Sequence, residues 1–271
     1  MKNFTLCRTA FLLLALICFA MFSAAQTIPT VYSTSLGQSD EITTAQLQQI
    51  LKDGSAVVFD ARPPFEFAMS HIPGALNVAQ KPGVPISQYV SDVAEIDRLL
   101  NSDKSKALIV YCNGPFCGKS KRLSTELTAA GWNVRRYQLG IPTWRALVGL
   151  TQIEAETMST VYKLDKTAVW IDVRGPADFA HKTIPGAVNI PRSLVTGIKD
   201  TGEIKNAKDD GRLPMNDHNT RVIVFAANGA DARFVAAAIA NEAFHNATFF
   251  EGTFEDARAA ALKKSTDDLD E

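Results

Sequence analysis

Four short apolar runs stand out in the pattern of hydrophobic and polar positions. Within each run the apolar residues do not alternate with polar ones, which is typical of strands buried on both faces of a parallel sheet. The runs are 57–59, 108–111, 169–171 and 222–225. Amphipathic stretches with helical spacing separate them, at 43–51, 87–100, 120–130 and 231–242. This alternation predicts an α/β fold in which an open parallel sheet carries helices on both faces.

An internal repeat shows that this fold occurs twice. Residues 60–78 align without a gap to residues 172–190, at an offset of 112, and ten of the nineteen positions are identical. The offset returns where Gly140 aligns with Gly252, so the duplication covers nearly all of the chain after its first residues. We expect two domains, at 26–152 and 153–271.

The first 25 residues have the order of a secretory signal peptide. Lys2 and Arg8 precede an apolar run at 10–22, and small residues follow at 23–25. The run is shorter than the roughly 20 residues that cross a bilayer, so we expect cleavage, no lasting membrane span and export to a bacterial periplasm. Cleavage leaves Cys112 and Cys117 as the two cysteines of the mature chain, in an oxidising compartment.

Composition narrows the classes of function. The chain is 46% hydrophobic and 21% charged, which is enough to form a core, and it carries 28 basic against 29 acidic residues. Because there is no basic excess, nucleic acid is not expected as a partner. The cysteines and histidines lack the spacing of a zinc site and no nucleotide-binding motif is present, so we expect neither a metal nor an organic cofactor.

The loop after the second apolar run is the candidate for chemistry, because ligands bind beyond the carboxyl ends of parallel strands. Cys112 follows the run directly, and Ser120, a good N-cap residue, is expected to open the next helix. Backbone N–H groups of residues 113–118 can surround an anion, and the helix dipole with Lys119 and Arg122 would lower the pKa of the Cys112 thiol. The predicted substrate-binding residues are Asn113, Gly114, Phe116, Gly118, Lys119 and Arg122.

A cysteine at the end of a core strand can also be a purely structural residue. The repeat favours the nucleophile, since the equivalent position of the second copy is Ala226. Packing tolerates that exchange and nucleophilic chemistry does not. The copies therefore look divided into one active and one inactive unit.

These motifs together resemble the tandem-domain rhodaneses, a family of sulfurtransferases. The first copy carries Asp60 and Arg62, the motif His-Ile-Pro-Gly-Ala-x-Asn at 71–77, the strand ending in Cys112, and Leu-Gly-x-x-x-Trp at 139–144. The resemblance implies a persulfide cycle in which the Cys112 thiolate takes sulfane sulfur from a donor such as thiosulfate. The sulfur then passes to a thiol or to cyanide.

The loop departs from the family pattern. In many tandem members the C-terminal copy is active, whereas here the cysteine lies in the N-terminal copy. If Ser120 is aligned with Ala232, the loop has eight residues in the first copy and six in the second, and six is usual for sulfurtransferases. Family phosphatases place an arginine where this chain has Gly118, so phosphate chemistry loses its main support.

Cys117 leaves three interpretations open. It could resolve a persulfide on Cys112 and release sulfide, or form with Cys112 a thiol–disulfide switch kept open by a periplasmic thiol reductase. It could also be a static bridge or a plain loop residue. The alternatives to a sulfurtransferase are accordingly a non-catalytic binding module and a periplasmic thiol–disulfide protein.

Other residues are assigned mainly structural roles. Asp60 and Arg62 recur in the second copy as Asp172 and Arg174, which favours a structural ion pair. His71 aligns with Thr183, which speaks against a catalytic base. Trp144 and Phe116 are candidates for the wall of an acceptor pocket, and a core position fits Trp144 equally well.

Overall fold

The computed structural model describes residues 41–199 and 202–263. The predicted signal peptide and the processing site after Ala25 lie outside the described residues. Among the helices of the described ranges, none is both long and apolar enough to cross a membrane.

The first copy is a four-stranded parallel sheet with helices on both faces. Its elements are α1 (Thr44–Asp53), β1 (Val57–Asp60), α2 (Pro64–Met69), β2 (Leu76–Asn77), α3 (Val93–Leu99), β3 (Ala107–Tyr111), α4 (Gly118–Ala129), β4 (Asn133–Tyr137) and α5 (Gly140–Leu147). A 3-10 turn at Ile86–Gln88 precedes α3. The strand order is β2-β1-β3-β4, so β3 is an inner strand with the cysteine loop at its carboxyl end.

The second copy repeats the plan with one more strand. Its elements are β5 (Leu150–Ile153), α6 (Ala155–Leu164), β6 (Val169–Asp172), α7 (Pro176–His181), β7 (Val188–Asn189), α8 (Glu203–Asp209), β8 (Val222–Phe225), α9 (Gly229–Asn241), β9 (Ala247–Phe250) and α10 (Phe254–Ala261), with a 3-10 turn at Arg192–Leu194. The parallel strand order is β5-β9-β8-β6-β7. The predicted α/β fold with two parallel sheets is confirmed.

Both faces of each sheet are buried, as the unalternating runs predicted. In β1, Phe59 packs into one apolar cluster of the first copy and Val58 into the cluster on the other face. In β6, Ile171 packs into one apolar cluster of the second copy and Trp170 into the cluster on the other face of the sheet. A strand with core on both sides has no polar face, which explains its run of apolar side chains.

Two helix predictions need correction. The amphipathic stretch 87–100 forms a helix only from Val93, because Asp92 caps the N-terminus there by accepting a hydrogen bond from the Ala94 N–H. The helix after the cysteine loop begins at Gly118 with Cys117 as its N-cap, so Ser120 lies inside the first turn. Ser120 is buried against the core instead of capping.

The two copies are joined by direct backbone pairing. His71 of the first copy and Gln152 of β5 form an antiparallel bridge, with both N–H···O distances 3.0 Å. Arg221 of the second copy donates a hydrogen bond of 3.0 Å to the Met69 carbonyl. The segment preceding the Ile-Pro-Gly motif of the first copy is therefore held by the second copy.

Candidate active site

The cysteine loop contains a closed disulfide. Cys112 follows β3 directly and Cys117 occupies the N-cap position of α4. Their sulfur atoms are bonded, with the Cα atoms 6.2 Å apart. Cys112 is 1% exposed, whereas Cys117 is partly exposed. The structure thus shows the pair in its oxidised form, with the more exposed of the two cysteine residues at the helix N-terminus.

The backbone around Cys112 is tightly braced by the start of α5. The Ile141 N–H donates to the Cys112 carbonyl at 3.0 Å. Gly140 has φ +66°, and a Cβ there would lie 2.3 Å from the Cys112 carbonyl oxygen and 2.4 Å from the Gly114 nitrogen. No other residue type fits that approach without displacing backbone, so Gly140 positions the loop.

A side-chain contact ties the loop to α2. The Asn113 amide donates to the Glu66 carboxylate at 2.7 Å, across 47 residues of sequence. Glu66 lies in the first turn of α2, next to the half-exposed ring of Phe65. The outer edge of the loop is therefore anchored at a second point.

The predicted substrate-binding residues differ in their exposure and in their contacts. Gly114 is buried in the turn, where its carbonyl accepts from the Cys117 N–H at 3.0 Å. Gly118 is exposed and Lys119 partly exposed in the first turn of α4. Arg122 is exposed and its Nε lies 3.3 Å from a Glu126 carboxylate oxygen.

The two candidate aromatic wall residues occupy opposite environments. Phe116 is fully exposed at the tip of the loop. Trp144 is 4% exposed in the apolar core and donates its indole N–H to the Leu150 carbonyl at 2.7 Å. Trp144 is thus a core residue at the junction of the copies, and Phe116 presents apolar surface to solvent beside the disulfide.

The acid–arginine pairs are buried structural pairs in both copies. The Asp60 carboxylate accepts from Arg62 Nε at 3.0 Å and from the Arg62 backbone N–H at 2.9 Å, and Arg62 also donates to the Ser70 carbonyl at 2.7 Å. Burial alone would lower the pKa of Arg62, but the adjacent Asp60 carboxylate outweighs it and raises that pKa. Asp172 and Arg174 repeat the pair with Nε–O at 3.0 Å.

His71 lies in the interface between the copies. It is 1% exposed, stacks on Phe67 with ring centroids 3.8 Å apart, and has Nδ1 3.0 Å from the Phe67 carbonyl oxygen. Burial, assisted by the nearby Arg62 charge, lowers the pKa of His71 to about 4. Its Nε2 lies 3.4 Å from Glu154, whose pKa is raised by burial. This geometry supports a neutral, structural imidazole.

The corresponding loop of the second copy lacks a nucleophile. Ala226 is buried at the end of β8, and α9 begins only three residues later, at Gly229. Asn228 caps α9 by accepting from the Asp231 N–H at 3.0 Å. The second loop is thus short and capped by a side chain, where the first is longer and closed by a disulfide.

Sequence reasoning missed two residues that shape this region. Glu66 was not singled out, because its bond to Asn113 depends on tertiary approach. Arg145, in the last turn of α5, is mostly buried and its Nε has no hydrogen-bond partner within the described chain. The sequence signal for Arg145 was a charged residue among the apolar residues of the string Trp-Arg-Ala-Leu at 144–147. Among the described residues, no group of His, Cys, Asp or Glu is arranged to hold a metal.

Part of the chain is similar to a curated protein. A curated relative, the HTH-type transcriptional regulator Rv0324 of Mycobacterium tuberculosis, is 32% identical over 111 residues, which are 41% of this chain and 43% of that protein. The chain therefore spans less than half of that relative's length.

Two solved structures are similar at lower identity. The thiosulfate sulfurtransferase of Pseudomonas aeruginosa is 19% identical, with 81% of this chain and 42% of that one covered at a TM-score of 0.33. BH2092 of Bacillus halodurans is 24% identical, with 42% and 76% covered at a TM-score of 0.34.

The model of the rhodanese-like domain matches twice, at residues 43–147 and 157–260. Each match falls on one of the two α/β sheets, and together they span well over half of the chain. The chain therefore belongs to the rhodanese-like family, with two such domains in tandem.

Proposed function

We propose that the protein is a rhodanese-type sulfurtransferase in which the first copy carries a persulfide on Cys112. The observation that supports this most directly is the contrast between equivalent strand ends. Cys112 follows β3 in a braced loop before a helix N-terminus, and Ala226 takes its place in the second copy. Both copies retain the same framework, but only the first retains the cysteine thiol. This difference is expected if the first domain is catalytic and the second supports it.

The first half-reaction uses the reduced loop. The Cys112 thiolate attacks the sulfane sulfur of thiosulfate, the S–S bond of thiosulfate breaks, and sulfite leaves with the bonding electron pair. Cys112 then carries a persulfide anion. Loop N–H groups and the N-terminus of α4 stabilise the negative charge, with Lys119 nearby in the first turn.

The second half-reaction has two routes. An external thiolate or cyanide can take the outer sulfur and regenerate the Cys112 thiolate. Alternatively, the Cys117 thiol attacks the inner sulfur of Cys112, a disulfide forms, and the outer sulfur leaves as hydrosulfide. The second route ends at the disulfide found in the structure, and an external dithiol must then supply two electrons to reopen it.

The different exposures of the two cysteine residues favour one direction of reopening. With the disulfide closed, Cys112 is 1% exposed and Cys117 is partly exposed. An incoming thiolate therefore attacks Cys117, forms a mixed disulfide there, and releases Cys112 as the thiolate that the first half-reaction needs. The exposed Phe116 beside Cys117 offers apolar contact to a protein reductant.

The bonded sulfurs also favour a second candidate, a thiol–disulfide protein without sulfur transfer. In that function the Cys112–Cys117 pair itself carries the two electrons. Export to the periplasm, proposed from the first 25 residues, would supply the oxidising surroundings for either function. A non-catalytic binding module is the remaining alternative, with the disulfide as a fixed clasp.

The test is intact mass spectrometry of the exported protein. It is reduced with a dithiol, freed of reductant without air, and incubated with thiosulfate, alongside Cys112→Ser, Cys117→Ser and the control Ala226→Ser. We expect one added sulfur atom on Cys117→Ser, none on Cys112→Ser, and release of sulfide with reformation of the disulfide in the unaltered protein.

The other outcomes separate the candidates. A reduced protein that never gains sulfur from thiosulfate, polysulfide or a small persulfide, yet exchanges electrons with a dithiol, would replace the sulfurtransferase by the thiol–disulfide protein. A disulfide that a dithiol does not open in the folded chain would support the binding module.

A further inference from the structure

A cavity of about 440 Å³ opens where α5 ends and β5 begins. Both copies contribute to its walls, with Gln48 and Arg145 from the first and Asn241 and His245 from the second. None of residues 112–119, all of which are described, is among its lining residues. The cavity is therefore distinct from the cysteine loop.

Arg145 is the chemically unusual group of this cavity. It is mostly buried, and within the described chain its Nε donates no hydrogen bond. Burial and the charges of Arg221 and Arg62 lower the pKa of Arg145 to about 10, with only Tyr111 acting in the opposite direction. A buried cation is normally paired with an anion, because loss of hydration is otherwise uncompensated.

The two neighbouring arginines already have acceptors. Arg62 is bound to the Asp60 carboxylate, and Arg221 donates to the Met69 carbonyl and lies 3.4 Å from Asp165. Of these three guanidinium groups, Arg145 alone has no carboxylate among the described groups that act on it. Among the described residues, no carboxylate therefore compensates the charge of Arg145.

The cavity wall is built of fixed backbone. Gly149 has φ +77°, and a Cβ there would lie 2.3 Å from the Phe244 carbonyl oxygen, so the two copies approach too closely for any side chain. The Ala247 N–H donates to the Gly149 carbonyl at 3.1 Å, and Trp144 donates to Leu150. Such a wall provides a preformed site rather than one that must be ordered by its ligand.

We propose that this cavity binds a small organic anion, whose carboxylate or sulfonate pairs with the Arg145 guanidinium. The guanidinium fork matches a planar or tripodal oxyanion. Apolar side chains of Val148 and Leu150 line the same cavity and would contact the body of the ligand. The volume lies within the range of roughly 300–1,000 Å³ that small-molecule sites occupy.

The test uses the full exported protein and four probes at constant ionic strength: benzoate, benzenesulfonate, neutral benzamide and inorganic sulfate. Binding is measured by calorimetry and by the melting temperature. At ten times its dissociation constant, an organic anion is expected to raise Tm by about 3–6 °C. Benzamide and sulfate are expected to bind at least about tenfold more weakly.

Two variants assign the effect to Arg145. Arg145→Met is expected to fold with an unchanged or higher Tm, since it removes an unpaired buried charge, and to lose at least about tenfold in affinity. Arg98→Met removes the same charge from an exposed side chain of α3 and is expected to bind as the unaltered protein does. The series is repeated in Cys112→Ser, where the binding should persist without sulfur chemistry.

Several results would overturn the proposal. Dissociation constants above about 10 mM for both organic anions would remove the site. Equal binding by Arg145→Met would place the anion elsewhere, and equal binding of sulfate or benzamide would refute the organic-anion class. Loss of persulfide formation with anion binding intact would count against the proposed sulfurtransferase alone.

Discussion

The two copies share a framework and differ at one strand end. In each copy an aspartate and an arginine pair after the first central strand, and the motif asparagine bridges two carbonyls across the next turn. Asn77 donates to the Asp60 and Arg62 carbonyls, at 3.0 and 2.9 Å. Asn189 makes the same two bonds, at 2.7 and 3.0 Å. Because these bonds persist where the nucleophile is absent, they specify the fold rather than the chemistry.

The difference is concentrated in the loop that follows the middle strand. Six residues separate β3 from α4, whereas three separate β8 from α9. The longer loop holds the disulfide and the exposed Phe116, and the shorter one ends in an asparagine cap. A disulfide-closed loop and a side-chain helix cap thus occupy the same position in the two copies of the fold.

The largest expected effect is loss of the thiol. Cys112→Ser should reduce sulfur transfer from thiosulfate at least about 1,000-fold, because an alcohol does not form the persulfide. Ala226→Ser, the same change in size and polarity at the equivalent strand end, should leave the rate unaltered. The rate of sulfite release checks both, and a comparable loss in the two variants would contradict the division of roles.

Breaking the acid–arginine pair should lower the free energy of unfolding more in the first copy than in the second. Asp60→Asn leaves Arg62, 3% exposed, without its carboxylate, and we expect a loss of about 3–5 kcal/mol in the free energy of unfolding. Arg174 is 11% exposed at its side chain, so Asp172→Asn should cost less. Urea denaturation measures both losses. Equal losses would mean that burial of the arginine does not set the cost.

A pH effect should arise from His71. The pKa of His71 is about 4 in the folded chain and near 6.5 in the unfolded chain. Its contribution to the free energy of unfolding is therefore present above pH 6.5. As the pH falls from 6.5 to 4 the unfolded state takes up the proton first, and about 3 kcal/mol of stability should be lost.

The second copy supplies the control for that pH effect. Thr183 stands at the equivalent position and donates to Asp172 at 2.8 Å. His71→Thr should flatten the dependence of the unfolding free energy on pH between 4 and 6.5, whatever its cost at pH 7. An unchanged slope in His71→Thr would assign the titration to other groups.

The smallest effect concerns the disulfide as a cross-link. Reduction should lower the stability of the first copy by about 2 kcal/mol, since the bond closes a loop of only a few residues. Urea unfolding with and without a dithiol, followed by tryptophan fluorescence, measures the change. The double variant Cys112→Ala/Cys117→Ala should not respond to the reductant, and a response there would mean that the reductant acts elsewhere.

Local pattern was sufficient to predict the central strands and the duplication. The runs that form β1, β3, β6 and β8 are apolar because both faces of each strand are buried. Each run can therefore be recognised from its own residues. β4 and β5 were not predicted, since Asn133–Tyr137 and Leu150–Ile153 mix polar and apolar residues. Their pairing is decided by neighbours far along the chain.

The sequence singles out Cys112 as the candidate nucleophile, but it does not predict the contacts around that residue. The exchange of Cys112 for Ala226 is visible in the repeat, whereas the position of Cys117 at the helix N-terminus depends on where the helix begins. The contacts of Asn113 with Glu66 and of His71 with Gln152 join residues 47 and 81 positions apart. The spacing of residues along the chain does not show which distant residues come into contact in the fold.

The bridge between His71 and Gln152 also covers part of a sheet edge. β5 is the edge strand of the second sheet, and an uncovered edge is a template for strand addition by another molecule. The two backbone hydrogen bonds between His71 and Gln152, one donated by each residue, pair part of that edge from within the same chain. A residue of the first copy thereby pairs with part of the edge that the sheet of the second copy presents.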